Sequence, residues 1–216
     1  TAMKKKKKRK KEYIAIVDYG MGNLHSVIKG IQKVKVPVKL TKKPAEIKSA
    51  AGIIIPGVGA FGDAVRELKT RKLFDVIRSE VKKGKPVLGI CLGMQLLFTA
   101  SSEFGKKKGF GFIKGRVIRF KKGMKVPHMG WNRVESTGRH PLLKGIKDKG
   151  FYYFVHSYYA VPSSKKAVLT KTRYGNTIFT SGTAFNNIFG FQFHPEKSGE
   201  SSLKIYKNFY NICNKA

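Results

Sequence analysis

The 216-residue chain carries 45 Lys plus Arg against 12 Asp plus Glu, a net charge of +33, and is 41% apolar. That length and apolar share suit one domain with a full hydrophobic core. Two cysteines, Cys91 and Cys213, exclude a disulfide framework and any zinc spacing, and no apolar run approaches the length of a membrane span. The basic start lacks the apolar stretch of a secretory signal, so a reducing, cytoplasmic setting is expected, without membrane or metal. Lys4 to Lys11 supplies eight of the positive charges, leaving about 25 on the rest of the chain. Residues 1–12 are expected to form a disordered basic arm, with Thr1 and Ala2 a remnant ahead of a start at Met3. Residues 13–216 are expected to form a single domain. The cations are scattered, with no helix-turn-helix, aromatic RNP or zinc-finger pattern to focus them. Non-specific adhesion to nucleic acid at low salt is therefore expected, and specific recognition is not. An acidic protein partner is a further possibility that the charge allows.

In chain order, Tyr13-Ile-Ala-Ile-Val-Asp18 is a β-rich run without alternation, as expected of a strand buried on both faces. A glycine-rich turn, Tyr19-Gly-Met-Gly-Asn23, leads into a helix from Leu24 to Lys33. Val36 to Leu40 and Gly52 to Ile55 read as strands, the second ending at Pro56. Ala60 to Lys83 is helical in pattern, in two pieces. Pro86 to Ile90 is a fourth strand, running straight into Cys91 and a helix from Leu92 to Ala100. Strands alternating with helices predict a parallel sheet covered on both faces. From Arg116 onward come short β-rich runs at Val117–Phe120, Tyr152–Val155, Ala167–Thr172, Thr177–Ser181 and Ile188–Phe193. These are expected to be antiparallel strands extending the same sheet, with a final helix from about Glu200 to Asn214.

Gly89-x-Cys91-x-Gly93 sits where the fourth strand meets a helix, the position of a nucleophile elbow with cysteine in place of serine. Two glycines give the sharp turn its room, and a helix N-terminus favours the thiolate. By itself the pattern favours a packed core thiol; its context reverses that reading in favour of the nucleophile. A cysteine nucleophile needs a base, and the base a group that orients it. His194 and Glu196 in Phe191-Gln-Phe-His-Pro-Glu196 are two apart, and in an extended segment such residues project to one side. A third element, Pro56-Gly57-Val58-Gly59, lies at the C-terminal end of a parallel strand, where α/β sheets bind ligands. Its backbone N–H groups, near Gly59 and Val58, could join that of Leu92 in holding an oxyanion.

Together these elements resemble the class I (triad) glutamine amidotransferases, from Tyr13 to the final helix. Their elbow Gly-x-Cys-x-Gly-x-Gln, oxyanion strand Pro-Gly-x-Gly and His-Pro-Glu are all intact here. The resemblance implies a flavodoxin-like α/β fold with a mostly parallel central sheet extended by antiparallel strands. It implies L-glutamine as substrate, no cofactor, Cys91 as nucleophile, His194 as base and Glu196 as orienter. It assigns substrate contacts to Gln95, Gly57, His156, Ser157 and Tyr158. Asp18-Tyr-Gly-Met-Gly-Asn23, Pro127-His-Met-Gly-Trp-Asn132 and His156-Ser-Tyr158 resemble a branch whose glutaminase passes ammonia to a (β/α)8-barrel synthase subunit. In that branch Asn23, His128, Trp131, Asn132 and Lys197 would face the partner, though a core role for Trp131 stays open. The resemblance also implies weak activity in the free chain, because glycines flanking Val58 let the oxyanion peptide flip readily. Since the chain stops at Ala216, soon after the last helix, the partner is expected to be a separate polypeptide. The rivals are another class I glutaminase, a basic scaffold without activity, and a flavodoxin-like cysteine protein of the chaperone or protease kind, which usually lacks His-Pro-Glu.

Overall fold

The computed structural model describes residues 13–215; the expected basic arm at 1–12 lies outside the described residues. Four runs of aliphatic residues form the parallel strands β1 (Ile14–Val17), β2 (Val38–Thr41), β3 (Gly52–Ile55) and β4 (Val87–Ile90). Between them lie helices α1 (Leu24–Lys33), α2 (Pro44–Ser49), α3 (Phe61–Thr70) and α4 (Leu73–Lys82). Asn23 starts α1 by accepting the Ser26 backbone N–H at 3.2 Å. The expected long helix does split, because Lys72 takes a left-handed φ of 58° between α3 and α4.

The rest of the chain adds α5 (Leu92–Leu96) and strands β5 (Phe98–Ser101), β6 (Lys107–Lys108), β7 (Ile113–Arg119), β8 (His128–Ser136) and β9 (Gly150–His156). It continues through β10 (Tyr158–Pro162), β11 (Val168–Tyr174), β12 (Thr177–Phe185), β13 (Ile188–Phe191) and α6 (Lys204–Cys213). The sheet runs in the order β2-β1-β3-β4-β13-β12-β10-β7-β5-β6, and a branch leaves β12 through β11 and β8 to β9. The mixed sheet, parallel at its centre and mostly antiparallel beyond, is the architecture the sequence predicts, with β5 lying parallel to β7 as an exception. β13 differs from expectation in one respect: it lies parallel to β4, with Phe191 beside Ile90. Its hydrophobic run, buried at every residue, suits an interior position better than an added edge.

Alternate residues of the central strands feed two cores. Ala15, Val17, Ile53 and Ile55 pack with α2, α3 and α4 on one face. Ile14, Ile16, Ile54 and Leu88 pack with α1 and α6 on the other. Each such Ile or Leu, buried from both sides, contributes on the order of 1.5–3 kcal/mol. The helix expected from Leu92 to Ala100 stops at Leu96. Phe98–Ser101 pairs with β7 instead, since an aromatic residue and a β-branched one favour extension when a strand edge is available.

Candidate active site

The tight turn at Cys91 follows from where β4 ends. Cys91 has φ 54° and ψ −111°, a backbone state that costs a non-glycine residue about 1–3 kcal/mol. Its neighbours must be glycine: a Cβ on Gly89 would lie 2.4 Å from the Gly93 carbonyl oxygen, and one on Gly93 would lie 1.8 Å from that of Ile55. The Cys91 N–H donates to the Phe191 carbonyl at 2.8 Å, which ties the elbow to β13. Cys91 stands at the N-cap of α5, the helix N-terminus that the sequence places beside it.

The residues leaving β13 bring the base to the nucleophile. His194 donates its backbone N–H to the Tyr153 carbonyl at 3.0 Å. Its ring Nδ1 lies 2.8 Å from Glu196 Oε1, with side chains 4% and 1% exposed. The segment is not extended, as the sequence expectation had it. Pro195, with its fixed φ, opens a 3-10 turn over Pro195–Lys197, and the turn itself brings the carboxylate onto the ring. Glu196 Oε2 accepts the Tyr206 hydroxyl at 3.1 Å. His194 Nε2 is buried and makes no hydrogen bond of ordinary geometry. Burial opposes charge on this ring, but Cys91 and then Glu196 outweigh it and push His194 up to about 10. At neutral pH the ring is therefore a proton donor held against the sulfur.

A cleft of about 370 Å³ opens over Cys91 and is lined by Val58, Gly59, Leu92, Gln95, His156, Ser157 and Tyr158, all expected site residues. Gly59 has a φ of +94°, and a Cβ on Gly57 would meet Tyr19 Oη at 2.5 Å. Gly57 thus lies behind the cleft, packed on Tyr19. The Tyr19 hydroxyl donates to the Pro56 carbonyl at 2.7 Å. Burial and then the charge on Cys91 hold it well above the usual tyrosine range, so it remains a neutral anchor of the oxyanion segment. Gln95 is buried, and its Nε2 donates to the Tyr158 carbonyl at 2.9 Å and to Gln192 Oε1 at 3.0 Å. Both amide hydrogens are committed, so only Oε1 remains for a ligand. A second, mostly apolar cleft beside β8 and residues 138–148 holds neither Cys91 nor His194.

The expected interface residues divide. Trp131 is 56% exposed, with Met129 and Phe151 exposed beside it on the β8–β9 ribbon, so it is not a core residue. Asn23 and Lys197 are exposed and Asn132 half-buried; Lys197 Nζ lies 5.6 Å from the Tyr153 ring centre. His128 does not reach the surface. It is 3% exposed, stacked on Tyr174 and bonded to His156 at 3.0 Å and Asn132 at 3.1 Å. The alternating pattern of β8 turns it inward, behind Trp131.

Sequence reasoning missed Tyr19, Glu103, Gln192 and Tyr206. Glu103 lines the cleft and accepts the Phe61 N–H at 2.7 Å. Gln192 Nε2 lies 3.6 Å from Cys91 Sγ. It leaves β13 one residue past Phe191, beside the elbow that pairs with that strand end.

With this geometry in view, comparison with known proteins fixes the class. The model of the class-I glutamine amidotransferase family matches residues 15–213, and the chain belongs to that family. It is a glutamine amidotransferase with the fold of its class. The particular kin are imidazole glycerol phosphate synthase subunits HisH. The chain is 47% identical to that of Aquifex aeolicus over 90% of its own length and 94% of the relative's. It is 49% identical to that of Caldanaerobacter subterraneus, over 91% and 96%. A solved glutamine amidotransferase superposes with a TM-score of 0.73 over 94% of this chain and 99% of that one, at 16% identity, a likeness of fold.

Proposed function

We infer that the chain is the glutaminase subunit of an imidazole glycerol phosphate synthase in histidine biosynthesis, hydrolysing L-glutamine to glutamate and ammonia for a partner cyclase subunit. The observation that carries the mechanism is the buried His194 ring, bound through Nδ1 to Glu196 at 2.8 Å and held in its charged form by Cys91 and Glu196.

In the proposed mechanism the Cys91 thiolate attacks the carboxamide carbon of glutamine, forming the C–S bond while the carbonyl oxygen takes the electron pair. Backbone N–H groups at Val58–Gly59 and Leu92 hold that oxyanion. His194 gives its proton to the departing nitrogen, the C–N bond breaks and ammonia leaves a thioester. Neutral His194 then takes a proton from water as it attacks, and C–S cleavage returns the thiolate and releases glutamate. Gln95 can offer only an acceptor, and Glu103 is a carboxylate in the same cleft. Both suit the α-ammonium of the substrate, leaving Ser157 and Tyr158 for contacts elsewhere on it.

The partner in this reading is a (β/α)8-barrel cyclase that adds the ammonia to an N1-linked ribulosyl aminoimidazole-carboxamide ribotide and splits it into imidazole glycerol phosphate and aminoimidazole-carboxamide ribotide. It docks over Trp131, with Asn23, Asn132 and Lys197 around it and His128 supporting the ribbon from inside. Exposed aromatic and sulfur-containing side chains at Trp131, Phe151 and Met129 support such a face. A cytoplasmic location belongs to the same reading, since a thiolate nucleophile needs reducing surroundings.

The test is a glutamine-mimicking electrophile with the cyclase present. Labelling of Cys91 that excess glutamine blocks is the expected result. No labelling, with or without the cyclase, leaves the chain a basic scaffold.

A further inference from the structure

Gln192 has no part in the mechanism above, yet its fully buried side chain touches the nucleophile. Its amide orientation follows from a backbone group. Gln95 Nε2 lies 2.9 Å from the Tyr158 carbonyl, which can only accept, so that Gln95 atom is the nitrogen. Its second hydrogen points to a Gln192 atom 3.0 Å away, which must therefore be the oxygen. The remaining Gln192 atom, 3.6 Å from Cys91 Sγ, is then the N–H2 donor. The Gln192 backbone is pinned as well, donating to the Ser181 carbonyl at 2.9 Å.

We propose that Gln192 is a further residue of the catalytic machinery, donating a hydrogen bond to the Cys91 sulfur and tying the nucleophile to Gln95, the side chain that reads the substrate. This rests on the reading of Cys91 as the nucleophile of glutamine hydrolysis. A thiolate accepts strongly and a thiol weakly, so a fixed donor favours the charged sulfur. The Val155 carbonyl, 3.9 Å from Sγ, is the acceptor available to the thiol's proton, and the two contacts favour opposite states. The donor acts twice in a turnover. It supports the sulfur before attack, and again when water's attack breaks the C–S bond and the electron pair returns to sulfur.

The titratable groups around this sulfur come from several elements. They are His194 and, through it, Glu196 after β13, Tyr19 after β1, His156 at the end of β9, and Glu103 across the cleft. Replacing Gln192 removes none of them, so a change in the titration of the sulfur reports the lost donor.

The experiment measures the rate of Cys91 alkylation by iodoacetamide against pH, with the modified residue identified by mass spectrometry. Cys213 is a silent internal control, because burial pushes its thiol up to about 12. Gln192→Met keeps the length and removes the donor; Gln192→Glu keeps an acceptor for Gln95 and turns a charge toward the sulfur. The half-maximal pH is expected to rise by about one unit in the Met variant, a tenfold loss of rate on the rising limb. The Glu variant is expected to shift further, and both to reach the unsubstituted plateau at high pH. Folded variants with an unmoved midpoint overturn the proposal, as does a lowered plateau without a shift, which a packing role would give. If both variants fail to fold, Gln95→Leu removes the group that orients Gln192 and should move the midpoint the same way by less; no movement there also overturns it. Failure of the underlying reading looks different, because the unsubstituted chain would then resist the glutamine-mimicking electrophile.

Discussion

Tyr206 donates its hydroxyl to Glu196 Oε2 at 3.1 Å, the oxygen that His194 does not use. The carboxylate is thus held from both sides, by the base it orients and by the last helix. Burial and then Glu196 keep this tyrosine far above its ordinary range, so it is a donor at every working pH. A hydrogen bond to a charged group contributes about 1.5–3 kcal/mol, and part of that is orientation of His194. Tyr206→Phe is expected to lower kcat roughly 3- to 30-fold with little change in KM, read by steady-state glutaminase assay in the presence of the cyclase. An unchanged kcat would remove Tyr206 from the site.

The His128–His156 pair makes folding sensitive to acid. His156 Nδ1 faces the Tyr158 carbonyl at 2.8 Å, so its Nε2 must accept from His128, whose own Nε2 accepts from Asn132. Both rings are neutral in this chain of bonds. Burial lowers His128 to about 4, and burial foremost lowers His156 to about 3. These depressed values contribute stability that is whole above the unfolded histidine pKa of about 6.5 and is lost as pH falls toward 4 and then 3. For His156, the more strongly lowered of the two, the slope is about 1.4 kcal/mol per pH unit. Melting temperature should fall steadily from pH 6.5 to pH 4. A flat profile over that range would contradict the neutral pair.

Gly93 tests the elbow itself. A methyl group there would press on the backbone oxygen of Ile55 at 1.8 Å, and a central strand cannot step aside. Gly93→Ala is expected to destabilise by more than about 3 kcal/mol. Gly138→Ala, where a Cβ meets nothing within 4 Å, should stay within about 0.5 kcal/mol of the parent. Denaturant titration of the two variants decides the matter; similar midpoints would mean that the turn is looser than described.

What was legible in the sequence is what a local pattern fixes. Unbroken aliphatic runs gave β1, β3 and β4, and Leu24–Lys33 was placed to the residue because Asn23 caps it and its apolar positions recur at helical spacing. The elbow became legible through its company, because a glycine-flanked cysteine alone suits a packed thiol and only His194-Pro-Glu196 and Pro56-Gly-Val-Gly59 turn it into a nucleophile. The neighbours of a segment were not legible. Phe98–Ser101 is extended only because β7 lies beside it. β8 escaped notice because Gly130 and Asn132 interrupt its apolar alternation, and its ladder with β9 supplies the order instead. His128 sits in a motif that reads as surface, but strand alternation buries it. Tyr206 acts from ten residues beyond Glu196 through the packing of α6, which no spacing rule predicts.

The abundance of lysine bears on turnover as well as on solubility. Glutamine enters as a zwitterion of no net charge, and the glutamate that leaves carries one negative charge more. A molecule with a net charge of +33 therefore attracts its product more strongly than its substrate. Inhibition by glutamate should be pronounced at low ionic strength and relax as salt is raised over the range where the Debye length shrinks from about 30 to 10 Å, while the KM for glutamine stays nearly constant. The surface that keeps the molecule apart from its own copies thus also sets how quickly it empties its cleft.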